Sequence, residues 1–297
     1  MLKCVIYLVT PYYYEYLLKK KDQIAAELFK GNTQLVISSM GEAGRTKVPA
    51  SAESGGKKKE NGQYKKEEML LITDSREILV SLLKEGYYVI ALCHEKNREI
   101  PFKEALYAVE DVEQLTFQSY DEAYRRLTGL PWNILETKRL KIRESTVADV
   151  EDFYRIYEEP SVTYYMEDLF KDPDEEKAYM ESYIKQIYGF YGFGMWTVLL
   201  KETGQVIGRA GLSVREGYEL PELGFVIAVP FQKEGYAYEA CRAVLIYAKE
   251  ELLFDKIQAL VQEKNTASVK LLSKLGFKHE RNVWENNREY HLMLKQL

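Results

Sequence analysis

The sequence predicts an α/β protein in two parts, a doubly wound, mostly parallel sheet over residues 1–133 and a second α/β domain over 134–297. Three observations predict it. Short apolar runs alternate with helical patterns through the first part, the order that builds parallel sheets. The last 75 or so residues read strand, helix, strand, helix, with glycine turns between them. At 297 residues the chain exceeds one ordinary domain, and Gly129-Leu130-Pro131 is a natural join.

Taken in order, Cys4 to Val9 is an apolar strand and Tyr12 to Leu28 a helix, with Tyr13, Tyr16, Leu17, Ile24 and Leu28 on its inner stripe. Gln34 to Ser38 is a second short strand. Residues 41–68 are dense in Gly, Ser, Lys and Glu without apolar periodicity, which predicts a mobile insertion whose lysines serve as solvated tether. Met69 to Thr73 returns to strand. A helix follows with Asp74 as the expected N-cap, Glu77 three residues on, Ile78, Leu79, Leu82 and Leu83 facing inward, and Gly86 as the stop. Tyr87 to Cys93 and Tyr107 to Val109 are further strands, and Ser119 to Leu127 a last helix with a Ser119–Glu122 capping box.

Composition narrows the function classes. The chain is 46% hydrophobic and 29% charged with a net charge of -5, so bulk nucleic-acid binding is not expected. Cys4, Cys93 and Cys241 lack paired or metal-ligand spacing and there are only three histidines, so reduced thiols and no metal site are expected. No apolar run is long enough to span a bilayer. The apolar start is too short for a signal peptide and has no small-residue cleavage site, so the expected location is cytoplasmic.

The most informative segment is VPFQKEGYAYEA, residues 229–240, where an apolar strand ends and a glycine-containing turn leads into a helix. Helix N-termini leave amides unpaired at the positive end of the macrodipole, so this junction suits an anion, although a glycine turn can also serve only to start a helix. Downstream, Lys256 to Gln262 reads as strand, Asn265 as turn or N-cap, and Thr266 to Lys274 as helix before Leu275-Gly276-Phe277.

Together these segments resemble the GNAT superfamily of N-acetyltransferases, in particular the branch containing the ribosomal-protein N-terminal acetyltransferases. Gln232, Gly235 and Ala237 match the family's cradle, and Asn265, Ser268 and Leu275-Gly276-Phe277 its second signature. ETKRLKIRESTVADVEDFYRIYEEPSVTYYM, residues 136–166, is similar to its opening strand and first helix. The resemblance covers residues 136–297 and implies a GNAT fold with a mixed, splayed sheet that binds acetyl-CoA as co-substrate. It implies that backbone at Phe225, Ile227 and Val229 lines the pantetheine arm. It also implies that Gln232, Lys233, Gly235, Tyr236 and Ala237 hold the pyrophosphate and that Asn265 and Ser268 approach from the other side.

For catalysis, Glu222 in PELGFVI is the candidate base, with an exposed strand-end carboxylate the equal alternative. Many relatives carry a tyrosine seven residues after the Asn to protonate the leaving thiolate; here that position is Leu272, which leaves Ser268, water or another tyrosine as candidate donors. Tyr164, Tyr165, Phe170 and Trp196 are the candidate acceptor wall, against the reading that such aromatics are core. Glu167, Asp168, Asp172, Asp174, Glu175 and Glu176 make that region acidic, which favours a cationic amine or marks a solvated helix start.

The first part is faintly similar to Rossmann-like, haloacid dehalogenase-like (HAD-like) domains through LLITDS, but its first strand ends Val9-Thr10-Pro11 without the nucleophilic Asp pair of that fold. It is expected to be a binding, docking or acceptor-selecting module with a protein partner. The whole chain is therefore expected to acetylate a primary amine of a protein N-terminus or small molecule by direct transfer in a ternary complex. The alternative is a catalytically weak acyl-CoA-binding regulator.

Overall fold

Every residue of Cys4–Val9 (β1) is buried, as a central strand covered on both faces requires. The protein is described by a computed structural model over residues 1–40, 64–166, 168–285 and 287–297. It divides into two units, Met1–Leu130 and Pro131–Leu297.

In the first unit β1 leads into Pro11–Phe29 (α1), with the proline in its first turn, and then Gln34–Ser39 (β2). Met69–Thr73 (β3), Arg76–Lys84 (α2), Val89–Leu92 (β4), Ala108–Val109 (β5) and Phe117–Thr128 (α3) follow. The strands form one parallel sheet in the order β2-β1-β3-β4-β5. Val5, Tyr7 and Val9 share a core cluster with residues of α1 and α3, while Cys4, Ile6 and Leu8 cluster with residues of α2. Strand alternation thus gives each face of the sheet its own helices, which is the doubly wound arrangement. The insertion expected at 41–68 lies mostly outside the described residues, and Lys66–Glu68 is a single 3₁₀ turn.

Two caps differ from expectation. Asp74 is not the cap of α2: Ser75 is, its Oγ accepting from the Ile78 amide at 3.5 Å. Asp74 is buried and accepts from the Thr10 amide (2.8 Å) and hydroxyl (2.5 Å), with His94 Nε2 at 3.2 Å. Its carboxylate joins the ends of β1 and β3 to the start of α1, a long-range role that local spacing does not encode. Likewise α3 is capped by Thr116, with Ser119 at its third position, because the helix gains Phe117 as an additional apolar residue facing the core.

The second unit runs Asn133–Glu136 (β6), Leu140–Arg143 (β7), Val150–Tyr157 (α4), Pro160–Thr163 (α5) and Pro173–Tyr183 (α6). A π turn at Ile184–Tyr188 continues α6 into Gly189–Tyr191 (α7). Met195–Leu200 (β8), Val206–Ser213 (β9), Glu222–Ile227 (β10), Tyr236–Glu250 (α8), Lys256–Val261 (β11), Thr266–Lys274 (α9), Lys278–Glu285 (β12) and Arg288–Gln296 (β13) complete it. Its sheet has the order β12-β13-β11-β10-β9-β8-β7-β6. Among the described residues it is antiparallel except where β10 meets β11.

Leu223 and Phe225 pack into the main core with Cys241, Val244 and Leu245 of α8, whereas Val226 packs with Ile156 and Tyr157 of α4. The period of two therefore sends Glu222, Gly224 and Val226 to the α4 face. Asp149 fixes the start of α4: it takes a bidentate bond from Arg143 (both 2.7 Å), the Thr146 amide at 2.8 Å and the Thr197 hydroxyl at 3.0 Å.

Candidate active site

β10 and β11 run parallel, with α8 as the crossover that parallel neighbours need, yet they share one register pair, Glu222 with Gln258, closed by the Gln258 amide donating to Pro221 O at 2.9 Å. Beyond that pair the strands separate, while β10 stays paired to β9 through Ile227. The edge of β10 from Leu223 onward thus carries backbone groups without a ladder on the β11 side. Phe225 and Ile227 lie on this edge, and Val229 follows in a 3₁₀ turn.

The mouth of the splay is built by the segment singled out in the sequence. The Gln232 amide side chain donates to Ile227 O at 2.8 Å, which secures the turn to the strand it leaves. Lys233 (φ 67°) and Gly235 (φ 84°) are both left-handed, so the chain reverses within a few residues and α8 starts at Tyr236. Gly235 is its cap residue and no side chain caps it. The first-turn amides around Tyr236 and Ala237 are consequently free of the carboxylate or hydroxyl that caps most helices.

Arg139 supports this turn from about a hundred residues upstream, a relationship that no local motif marks. Its Nη1 donates to Glu234 O at 3.1 Å and its guanidinium lies 4.1 Å from the Tyr236 ring centroid. Its Nε reaches Glu239 at 2.7 Å, and the same carboxylate accepts from Thr137 Oγ1 at 2.6 Å. Burial works against the charged form of Glu239, but the bonds from Thr137 and from the Arg139 amide and side chain outweigh it and hold its pKa low.

On the far side, Asn265 is the N-cap of α9, its Oδ1 accepting from the Ser268 amide at 3.2 Å. Tyr165 OH donates to Lys264 O at 2.9 Å, tying the segment after α5 to this turn. Tyr164 and Phe170 are exposed, and Tyr164 meets Tyr165 edge-on at 4.7 Å. Trp196 is a correction: it is fully buried on β8 against Tyr247 and does not wall an open pocket. Its parity on the strand sends it to the α8 core. Glu167 lies outside the described residues, while Glu176 of the same acidic stretch is buried and accepts from the Phe170 amide at 3.1 Å.

Glu222 sits at the closed end of the splay, 7% exposed. It is not a free strand-end carboxylate. Arg215 grips both oxygens, Nε on Oε2 and Nη2 on Oε1 (3.1 Å), and its Nη1 reaches Glu285 at 2.9 Å. Burial raises the Glu222 pKa above the usual carboxylate range; Arg215 pulls it back in part and Glu285 adds to the rise. An open cavity of about 530 Å³ adjoins this network, lined by Ser213, Val214, Arg215, Glu216 and Glu285. Leu272, at the position where the family resemblance leads one to expect a tyrosine acid, is buried in the core. Cys241 is buried too, and burial pushes its thiol pKa well up, which removes it as a nucleophile.

Residues 139–278 match the family model described as the acetyltransferase (GNAT) domain. The second unit is a GNAT acetyltransferase domain. The chain is similar to YkkB of Bacillus subtilis (28% identity over 157 residues, 52% of this chain and 90% of that protein). It is also similar to the N-acetyltransferase p20 of Bacillus licheniformis (28% over 148 residues, 49% and 83%). Among solved structures, a GNAT-family acetyltransferase from Bacillus anthracis aligns with a TM-score of 0.47 at 22% identity, covering 55% of this chain and 97% of that one. The ribosomal-protein-S5-alanine acetyltransferase of Vibrio fischeri aligns at 0.47 and 16%, covering 55% and 95%. These matches cover about half of this chain. Among the described residues no helix is long and apolar enough to cross a membrane, and no group of three or more His, Cys, Asp or Glu side chains could hold a metal ion.

Proposed function

We propose that the GNAT domain binds acetyl-CoA in the splay and transfers the acetyl group directly to a primary amine in a ternary complex. The observation that carries this is the V between β10 and β11, closed at Glu222 and Gln258 and open toward the uncapped first turn of α8. A ligand anionic at one end and extended toward its reactive end is complementary to it. The amides around Gly235, Tyr236 and Ala237 would receive the pyrophosphate, and Lys233 and Arg139 would add positive charge. The open edge of β10 at Phe225, Ile227 and Val229 would pair with the pantetheine arm, with Asn265 and Ser268 opposite.

In this reading Glu222 is the base, because it is buried beside the closed end and its pKa is shifted toward working pH. It takes the ammonium proton, directly or through a water, so that the nitrogen lone pair can form the N–C bond. The C–S bond breaks with its electron pair on sulfur, which leaves as a thiolate, and the second proton that the nitrogen loses as the amide forms passes through solvent to that thiolate. The help required depends on the amine: an α-amino group of pKa near 8 is roughly a tenth free at pH 7, against about one part in 2,500 for a lysine. That difference is about 3 kcal/mol. The carboxylates of Glu216 and Glu285 at the adjoining cavity favour a cationic acceptor, and Tyr164, Tyr165 and Phe170 stand as its candidate apolar contacts.

A second reading, an acyl-CoA-binding regulator with little turnover whose first unit recognises a protein partner, is favoured by Leu272 in place of an acid and by the pairing of Glu222 with Arg215. Calorimetry with acetyl-CoA followed by turnover against N-terminal peptides, polyamines and amino sugars separates the two. Binding with turnover supports the enzyme, binding without turnover on any amine supports the regulator, and no binding defeats both.

A further inference from the structure

The backbone of Gln258 closes the V, but its side chain has no role in the proposed transfer, and it is the most anomalous polar group of the splay. It is 2% exposed and its side-chain Nε2 is buried without a hydrogen-bond partner. Buried amide donors are nearly always satisfied, so an orphan of this kind points to an absent partner. Its neighbours Ile257 and Ala259 pack into the core shared with α8, so strand alternation turns Gln258 to the opposite face, beside its register partner Glu222. Four residues on, Gln262 Nε2 is a second buried donor without a partner. Two unfilled donors therefore stand on the β11 side of the V, one at its closed end and one toward its mouth.

Glu222 and Gln258 are chemically complementary. An ionised carboxylate only accepts hydrogen bonds and would repel a carbonyl oxygen, whereas an amide N–H donates to one. A ligand entering from the α8 turn brings its acyl end to the closed end of the V, and a thioester carbonyl there can accept but not donate. We infer that Gln258 Nε2 donates a hydrogen bond to the thioester carbonyl oxygen of bound acetyl-CoA, opposite the carboxylate that receives the amine. This rests on the splay being the acetyl-CoA site. One residue then takes the proton of the nucleophile while the other holds the oxygen that becomes more negative as the amine attacks. Gln262 supplies the same kind of donor to a carbonyl further along the ligand.

The test uses the full-length protein with Gln258→Leu and Gln258→Met, two apolar replacements of similar size, and two ligands, acetyl-CoA and CoA. Removing an unsatisfied buried donor should leave the melting temperature of the ligand-free protein unchanged or higher in at least the better-packed variant. Loss of one hydrogen bond should weaken acetyl-CoA about five- to tenfold while leaving CoA, which lacks the carbonyl, unchanged. A lower melting temperature in both variants would mean the amide has a structural partner and would overturn the inference. So would equal loss for both ligands, or loss for neither. If the wild type binds neither ligand, the acetyl-CoA reading of the splay fails and the role of Gln258 fails with it; if it binds both and the variants match it, only Gln258 is refuted.

Discussion

Glu222 and Gln258 are the one register pair between β10 and β11 among the described residues, and everything proposed for the site follows from the strands parting after it. Had the ladder continued to Ile227, the edge of β10 would be filled by β11. Instead, the backbone of Leu223 to Ile227 stays available on that side, and the residues at the junction are a buried carboxylate and a buried amide.

Glu222→Gln tests the base. Its carboxyl titrates above the usual carboxylate range because burial opposes its charge, so the acid limb of kcat/KM should lie higher than for an exposed glutamate. The substitution should lower kcat about 10²-fold or more with acetyl-CoA affinity little changed. Equal rates at pH 7 would remove the assignment. A raised carboxyl pKa stabilises the fold only while the group is protonated, so wild type should lose stability relative to Glu222→Gln as pH rises through the folded pKa.

Arg215→Ala removes the charge that lowers the Glu222 pKa, so the acid limb should move to higher pH than in wild type. A pH–rate profile that does not move, measured with the same amine, would show that Arg215 does not set the state of Glu222.

At the mouth, Gly235→Ala places a Cβ on a residue at φ 84°. A left-handed non-glycine residue costs about 1–2 kcal/mol. The melting temperature should fall, and acetyl-CoA affinity should fall with it if the turn shifts to relieve strain. Affinity equal to wild type would separate the glycine from ligand binding.

Arg139→Ala should weaken acetyl-CoA by about tenfold, the scale of one charge-assisted hydrogen bond, because the Glu234 carbonyl, the Tyr236 ring and Glu239 all lose their anchor. Calorimetry reads it directly, and rising salt should narrow the gap between variant and wild type if charge carries the effect.

Asp149→Asn should destabilise the fold by about 3–5 kcal/mol, since it leaves the Arg143 guanidinium without its buried partner. Burial opposes the charge on Asp149, yet the bonds from Arg143, the Thr146 amide and Thr197 hold its pKa below the ordinary aspartate value. Its contribution is thus complete above that value and is lost as pH falls through the lower folded pKa. Acid titration of stability should show this segment in wild type and not in the variant.

Local periodicity makes most elements legible: of the inner stripe of α1, Tyr13, Leu17, Ile24 and Leu28 are buried and Tyr16 is half-buried, and Gly86, Gly129 and Gly235 sit at positive φ at turns. Caps were less legible. Asp74 has the spacing of a cap for α2, but Thr10, distant in sequence, claims its carboxylate and Ser75 takes the position. The glycine- and aromatic-rich segment around Trp196 predicts a pocket aromatic; the side of the strand it occupies decides its burial instead, and that depends on register.

By itself the sequence determined the two α/β parts, the α8 turn at Gln232 to Ala237 and the cap at Asn265, since each depends on residues within a few positions of one another. It also carried the GNAT signature in linear order. Only the tertiary structure decided that Arg215 grips Glu222, that Arg139 braces the turn before α8, and that Gln258 is buried with an unpaired amide. Those relationships join separate strands, or strand to turn, and depend on which face each residue presents once the sheet is assembled. A side chain's partners across a sheet are set by register and strand order, which no short window of sequence contains.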